Sequence, residues 1–498
     1  MVFLNKKYIL SIDQGTTGSR AFLFDASGKV FASAYQEFKQ YFPKPGWVEH
    51  DAEEIWLSCV AVIQKAIVKS KIHPEEIAAI GITNQRETTV IWDRKTSKPV
   101  YHAIVWQCRR TTPICEDPEY KKFEPLLREK TGLVLDPYFS GTKIKWLLEH
   151  VPGLRRKADR GTVAFGTIDS WLIWKLTGGQ SHVTDFTNAS RTLLLNIKTK
   201  KWDPKLLRIF DIPKKILPKL QKSGSIFGRT IDIKGLPSGI PIAAVMGDQQ
   251  AALYGQGCYD SGTSKNTYGT GCFMMLNTGK KRVYSKHGLL TTLACDFRGE
   301  AVYALEGAVF IAGAVVQWLR DGLKVIKKSS DSEFAIRGLK NTGGVYVVPA
   351  FVGLGAPYWA SEARGLITGI TRGTTLQHII RASLEAIAYQ SKDVFDAMRK
   401  EFGHHIRELK VDGGACKNNF LMQFQADVLG AEIIRPAVVE LTAQGVAHLA
   451  AVTMNLWGSA TEVKKRYRID KVFHPAISVK KRGELYRGWQ KAVQRAML

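Results

Sequence analysis

Twice in this chain a strand-like apolar run breaks on a short glycine–threonine bend and resumes at once as a second such run. The first instance is Tyr8–Asp13 and Ala21–Asp25 around the bend Gln14–Arg20, and the second is Asn266–Leu276 (NTYGTGCFMML). Short β-rich runs joined by a tight Gly/Thr bend are the grammar of a hairpin. Between and after the two hairpins, helical and strand patterns alternate. Ile55, Trp56, Val60, Ile63 and Ile67 recur at helical spacing within Glu53–Ser70, and Ile80–Thr83, Thr89–Trp92 and Ala103–Trp106 read as strands. Interleaved strands and helices exclude a sandwich or a bundle and point to a layered α/β fold. Two halves that each open with the same hairpin predict a duplicated, two-lobe architecture whose bends face one another across a cleft. The boundary is expected near Gly255–Tyr259, dividing 1–256 from 257–498.

A chain of 498 residues with 45% hydrophobic content has enough apolar surface for more than one core. Its formal net charge of +26 favours anionic partners. Part of that excess lies in Lys464–Leu498, where eleven Lys or Arg stand against Asp470 and Glu484. No helix-turn-helix, RRM, KH or zinc-finger signature accompanies the charge, so specific nucleic-acid binding is not expected. The seven cysteines are scattered and never form CxxC, which reads as buried thiols in a reducing compartment. Met1–Tyr8 has no apolar leader core, and the chain ends Arg495-Ala496-Met497-Leu498, so a cytoplasmic location is expected. Ala301–Leu319 is the most membrane-like stretch, but Glu306 interrupts it. Gly307–Leu319 is too short for a membrane span and reads as a buried core helix.

Five motifs carry chemistry. Asp13-Gln14-Gly15-Thr16-Thr17-Gly18-Ser19-Arg20 sets a carboxylate at a strand end, followed by small residues whose N–H groups can curl around an anion. Hydroxyls and Arg20 add donors for phosphate, and Asp13 can hold Mg²⁺ through its waters. A plain hairpin explains the same residues. Tyr268-Gly269-Thr270-Gly271 offers a second cradle. Leu409–Gly430 reads strand, Gly413-Gly414 turn and helix, with Asn418 or Asn419 as cap, and its glycines would admit a flat ligand; an ordinary strand-turn-helix has the same pattern. Asp248, after the apolar run Ile240–Met246, suits a base that takes a hydroxyl proton during phosphoryl transfer, or simply caps a helix. Finally, Arg86 and Glu87 with Trp106, Tyr138 and Phe273 could bracket a small polyol, or form an ion pair beside core aromatics. The P-loop, protein-kinase, HEXXH and GxSxG signatures are missing.

Along essentially its whole length the chain resembles the FGGY carbohydrate kinases, and within them the glycerol-phosphorylating branch. The segments that carry the likeness are PGWVEHD (Pro45–Asp51), GITNQRETT (Gly81–Thr89), AIVWQCRR (Ala103–Arg110), DPYFSGTKIKW (Asp136–Trp146), GDQQAAL (Gly247–Leu253) and NTYGTGCF (Asn266–Phe273). The resemblance implies an actin/hexokinase-like ATPase fold of duplicated ribonuclease H-like domains with the active-site cleft between the lobes. It implies that Arg86, Glu87, Trp106, Tyr138, Asp248, Gln249 and Phe273 line a glycerol pocket, with Asp248 the catalytic base. It further implies that Asp13, Thr16, Thr17, Ser19 and Arg20 meet the phosphates of ATP, with Gly269, Thr270, Gly313, Gln317, Gly414 and Asn418 completing the nucleotide site, and that Asp13 and Asp248 share Mg²⁺. ATP and glycerol are the expected partners, and a homo-oligomer, dimer or tetramer, is expected.

Two departures stand out. Gln444 and His448 replace smaller, more apolar residues in Thr442–Ala450, and Asp232–Pro241 lacks the Arg with which some members bind fructose 1,6-bisphosphate, so feedback by that sugar is not implied. Another polyol or ketose kinase would share the phosphate cradles. An actin- or chaperone-like ATPase would share them too, but has no use for the NQRETT and WQCRR segments.

Overall fold

The computed structural model describes residues 7–360, 362–438 and 440–498, apart from the side chains of 464–466. Met1–Lys6, on which the reading of no apolar leader core largely rests, lies outside them, as do the side chains at the start of the basic stretch. The chain divides into two compact units. One comprises Met1–Tyr259, Thr291–Tyr303 and Glu440–Arg466, the other Asp260–Leu290, Ala304–Val439 and Tyr467–Leu498.

The first unit is built on a six-stranded sheet in the order Gly228–Arg229, Pro241–Gly247, Ile77–Asn84, Tyr8–Gln14, Gly18–Phe24, Val30–Glu37. Tyr8–Gln14 and Gly18–Phe24 form the expected hairpin, with Asp13 opposite Arg20 and Gln14 opposite Ser19. Tyr8–Gln14, Ile77–Asn84 and Pro241–Gly247 run parallel, and their ends are level: Gln14 pairs with Asn84, and Asn84 with Gly247. The residues that leave these three strands therefore emerge side by side.

One face of the sheet is covered by the helix Ala52–Ser70, which buries Ile55, Cys59, Val62, Ile63, Ala66 and Ile67. Asp51 caps it by accepting the Glu53 N–H at 2.8 Å. The other face carries the helix Leu441–Thr453, more than 400 residues further along the chain, docked by a bond from Ser11 Oγ to Ala443 O of 2.9 Å (a sequence separation of 432). Glycine permits this docking. A Cβ on Gly81 would lie 2.6 Å from Val446 O, and one on Gly445 would lie 2.0 Å from Ala251 O. Gln444 and His448 are buried in this helix, His448 standing edge-on to Trp457 at 5.0 Å between ring centroids.

The second unit repeats the topology. Ser264–Tyr268 pairs antiparallel with Cys272–Gly279 and parallel with Glu408–Asp412, which in turn pairs parallel with Glu432–Pro436; Ile469–Phe473 closes that edge, and Ala301–Val309 lies beyond Cys272–Gly279. The 27-residue helix Leu376–Phe402 and the helix Asn419–Leu429 pack together on it.

The expected core helix over Gly307–Leu319 is corrected. The strand Ala301–Val309 continues through its first residues, and only Gly313–Gln317 is α-helical, followed by one π-type turn over Trp318–Gly322. The strand is largely buried along its length, so its apolar run lacks the alternation that distinguishes a strand from a buried helix. All seven cysteines are buried thiols outside any disulfide. Among the described residues no helix is long and apolar enough to cross a membrane.

Candidate active site

In the first unit the three level strand ends each deliver a polar group, as expected where parallel strands present their carboxyl ends. Tyr8–Gln14 brings Asp13 and the bend Gly15–Thr17, closed by Gly15 N–H to Gly18 O at 2.9 Å. Ile77–Asn84 leads into Gln85-Arg86-Glu87, and Pro241–Gly247 into Asp248.

Asp13 is buried, and desolvation lifts its carboxyl to about 7; Asp248 and Glu440 add to the rise, while Arg20 opposes it. Arg20 sits between two acids, with Nη1 4.0 Å from Asp13 Oδ2 and 3.2 Å from Glu440 Oε2. Mutual repulsion between carboxylates, relieved by few protein ligands, fits a hard cation that keeps most of its waters, which is the coordination Mg²⁺ prefers.

Asp248 opens the helix Asp248–Gly255; Gly247 occupies the cap position, so Asp248 is not the cap, although its Oδ1 accepts the Gln249 N–H at 2.7 Å. The same Oδ1 lies 3.2 Å from Arg86 Nε. Asp248 and Gln249 are half-buried, whereas Arg86 is buried and held on three sides: Nη1 donates to Gln250 Oε1 at 3.3 Å, Nη2 to Tyr138 Oη at 3.4 Å, and Glu87 Oε1 stands 3.9 Å from Nε. A Cβ on Gly247 would fall 2.7 Å from Arg86 Cγ and Cδ, so a glycine is needed for Asp248 and the Arg86 side chain to share this space. Glu87 adopts a left-handed backbone, φ 61°, and its carboxylate accepts from Arg191 Nε at 2.6 Å. Trp106 and Tyr138 meet edge to face, 5.6 Å between centroids, as two half-buried aromatic walls. The Trp106 indole donates to Thr16 Oγ1 at 3.0 Å, which ties the aromatic wall to the bend.

Thr17 is exposed on that bend, but Ser19 is not brought to the group. One residue out of phase with Arg20, its side chain points to the opposite face, where its buried hydroxyl bonds Ser58 Oγ at 2.7 Å.

In the second unit the bend Gly269–Gly271 is closed by Gly269 N–H to Gly271 O at 2.9 Å and exposes Gly269 and Thr270. Gly313 starts its short helix against this bend, donating to Gly269 O at 3.0 Å, and Ala312 and Ala314 donate to Thr270 O at 2.8 and 3.1 Å. Gln317 is exposed at the helix end. Gly413, φ 87°, also lies against the bend: a Cβ there would be 2.4 Å from Tyr268 O. Gly414 beside it faces open space, with nothing within 4 Å of the Cβ position. Asn418 is the cap of Asn419–Leu429, its Oδ1 accepting from Leu421 at 2.9 Å. Phe273 is half-buried in the strand after the bend, paired with Thr267.

Sequence reasoning missed Arg191, Lys143, Gln250 and Glu440. Lys143 Nζ, fully buried, donates to Tyr138 O at 2.5 Å and Glu87 O at 3.4 Å, and desolvation lowers its ammonium to about 8. Helical spacing from Ser140, which bonds Glu87 O at 3.0 Å, could have flagged Lys143. Arg191 lies 104 positions from Glu87 and has no such local signal.

Comparison with known proteins matches residues 8–255 to the N-terminal domain of the FGGY family of carbohydrate kinases and residues 264–454 to its C-terminal domain. The chain is 56% identical over 492 residues to a glycerol kinase of Geobacillus sp., with 99% of each chain covered. It is 57% identical over 491 residues, again 99% of each, to a glycerol kinase of Caldanaerobacter subterraneus subsp. tengcongensis. Among solved structures, that of Plasmodium falciparum glycerol kinase with ADP aligns with a TM-score of 0.93 at 40% identity, covering 99% of this chain and 98% of the other.

Proposed function

Because the chain belongs to the FGGY family of carbohydrate kinases, we propose the following division of labour for an ATP-dependent phosphorylation of glycerol that yields ADP and sn-glycerol 3-phosphate. Asp248 takes the proton of the attacking hydroxyl as its oxygen bonds to the γ-phosphorus and the bond to the β,γ-bridging oxygen breaks, the electron pair leaving with ADP. Arg86 and Glu87 hold the other hydroxyls. Trp106, Tyr138 and Phe273 wall the carbon chain, with Gln249 at the pocket edge.

The observation that carries this reading is the level exit of Asp13, Arg86-Glu87 and Asp248 from three parallel strands, with Arg86 Nε 3.2 Å from Asp248 Oδ1. The half-buried bend Gly15–Thr16 with exposed Thr17, the exposed Gly269–Thr270 and Arg20 suit phosphate oxygens, and the open face of Gly414, with Gln317, Gly313 and Asn418, is assigned to the adenosine end. Asp13 and Asp248 would hold Mg²⁺ through its waters; when bound, the ion neutralises charge on the transferring phosphates. Assigning the polyol and first phosphate bend to 1–256 and the adenosine end to 257–498 belongs to the same proposal.

A cytoplasmic location is supported by the seven buried thiols outside any disulfide. A homo-oligomer, dimer or tetramer, is supported by large apolar side chains exposed in the first unit, Leu57 and Val68 on one helix and Phe31 and Tyr35 on one strand. The deciding experiment is ATP-dependent phosphorylation of glycerol, dihydroxyacetone and a set of pentuloses in parallel. Glycerol is expected to give the highest kcat/KM, and a pentulose ahead of it would reassign the pocket.

A further inference from the structure

We propose that Asp185 is the hub of a buried positioning network with two arms, one setting the proposed base and the other the polyol clamp. The proposal rests on the reading of Asp248 as the base. Asp185 is fully buried and ends the short strand Val183–Asp185. One of its oxygens accepts from Thr187 N at 2.9 Å and Ser223 Oγ at 2.7 Å, the other from Asn188 N and Asn188 Nδ2, each at 2.9 Å. Four donors on one carboxylate orient the turn that follows it rigidly.

The first arm runs through Thr187. Its backbone N–H is held by Asp185, and its hydroxyl accepts the N–H of Gly247 at 2.9 Å, in the residue immediately before Asp248. That bond has a physical purpose. Gly247 must lack a side chain because Arg86 fills the space, yet glycine is the residue with least intrinsic backbone stiffness. The Thr187 acceptor supplies the orientation that a side chain would otherwise help to impose on the step carrying the base.

The second arm runs through Asn188. It exchanges two amide bonds with Asn84, Asn84 Nδ2 to Asn188 Oδ1 at 3.0 Å and the return at 3.2 Å, and Asn84 Nδ2 also holds Gln85 O at 2.8 Å. Asn84-Gln85 is the stem of Arg86-Glu87. A single carboxylate thus sets the ends of two strands that carry different tasks, and the tasks are separable in kinetics. Misplacing Asp248 costs turnover, whereas misplacing Arg86-Glu87 costs polyol binding.

The test is a set of variants in the full chain. Thr187→Val keeps the shape and removes the acceptor; kcat is expected to fall about 10- to 100-fold, while KM and the calorimetric Kd for glycerol stay within about twofold. Thr187→Ser restores the hydroxyl and is expected to recover kcat to within about threefold of the parent. Asn84→Ala is expected to raise KM for glycerol about tenfold with a smaller change in kcat. If Thr187→Val does not fold, Thr187→Ala reads the same arm. The proposal is overturned if removing the Thr187 acceptor leaves kcat unchanged, if Ser fails to restore it, or if both arms move kcat and KM alike. Asp248→Asn in parallel separates the two failures: retained turnover there refutes the base, whereas lost turnover there beside an unaffected Thr187→Val refutes only the network.

Discussion

The indole of Trp106 donates a hydrogen bond to the hydroxyl of Thr16 over 3.0 Å, joining the proposed polyol wall to the proposed phosphate bend. Each partner belongs to a different proposed subsite, so the bond is a place where the two substrates can sense one another. Trp106→Phe keeps an aromatic wall but removes the donor, at a net cost of about 0.5–1.5 kcal/mol, or roughly 2- to 10-fold in kcat/KM. An initial-rate grid varying both substrates is expected to show KM rising for ATP as well as for glycerol. A change confined to glycerol would mean that the bond serves the wall alone.

Asp248→Asn preserves size and leaves an oxygen to face Arg86 Nε. It removes only the capacity to take a proton. A general base contributes typically about 10²- to 10⁴-fold, so kcat is expected to fall by that factor while calorimetry shows glycerol binding largely kept. Near-parental turnover would require another base.

Gly414 faces open space, and its backbone carries no left-handed strain. Gly414→Val therefore has little to disturb in the free protein, and its stability is expected to stay within about 0.5 kcal/mol of the parent. If the nucleotide lies against this step, the added methyls obstruct it, so KM for ATP rises while KM for glycerol does not. Unchanged ATP kinetics would move the adenosine end elsewhere.

Asp393 borders a cavity of about 540 Å³ in the second unit, lined also by Lys286, Tyr358, Asp396, Lys400 and Tyr486. Its carboxylate accepts from Tyr486 Oη at 2.5 Å and Trp489 Nε1 at 2.8 Å, and burial raises it from 3.8 to about 7. The folded protein then holds this proton between about pH 4 and 7, where the unfolded chain has released it. The stability contributed by Asp393 is accordingly full below about pH 4 and lost as pH rises through about 7. Thermal melts of Asp393→Asn are expected to slope less with pH across that window than those of the parent. Parallel slopes would show that the group is ionised throughout.

Much of the proposed site was legible because its parts are local. The bend Gln14–Arg20 announces itself through Gly and Thr between two apolar runs, and Asn84–Thr89 through a polar block between strands. Ser19 shows where local reading stops. As part of the DQGTTGSR motif it looks like one more donor, but period-two alternation turns it to Ser58 while Arg20 faces Asp13. Counting the register from Asp13 would have separated them. Arg191 could not be found that way, since its partner Glu87 lies 104 positions earlier and only packing brings them to 2.6 Å.

Pattern in the chain itself was enough for the layered α/β class, for two hairpins of one design, for Asp248 as the acid after an apolar strand, and for the residues that make a polyol pocket conceivable. Those are properties of neighbours in sequence, written in periodicity and turn chemistry. Folding alone decided which acid is desolvated, which hydroxyl is turned away and what surrounds Asp248. It also decided that Leu441–Thr453, from the far end of the chain, covers the first sheet while Glu440 reaches Arg20. The reason is that charge, hydrogen-bond partnership and burial depend on distances between segments hundreds of residues apart, and no local pattern encodes those distances.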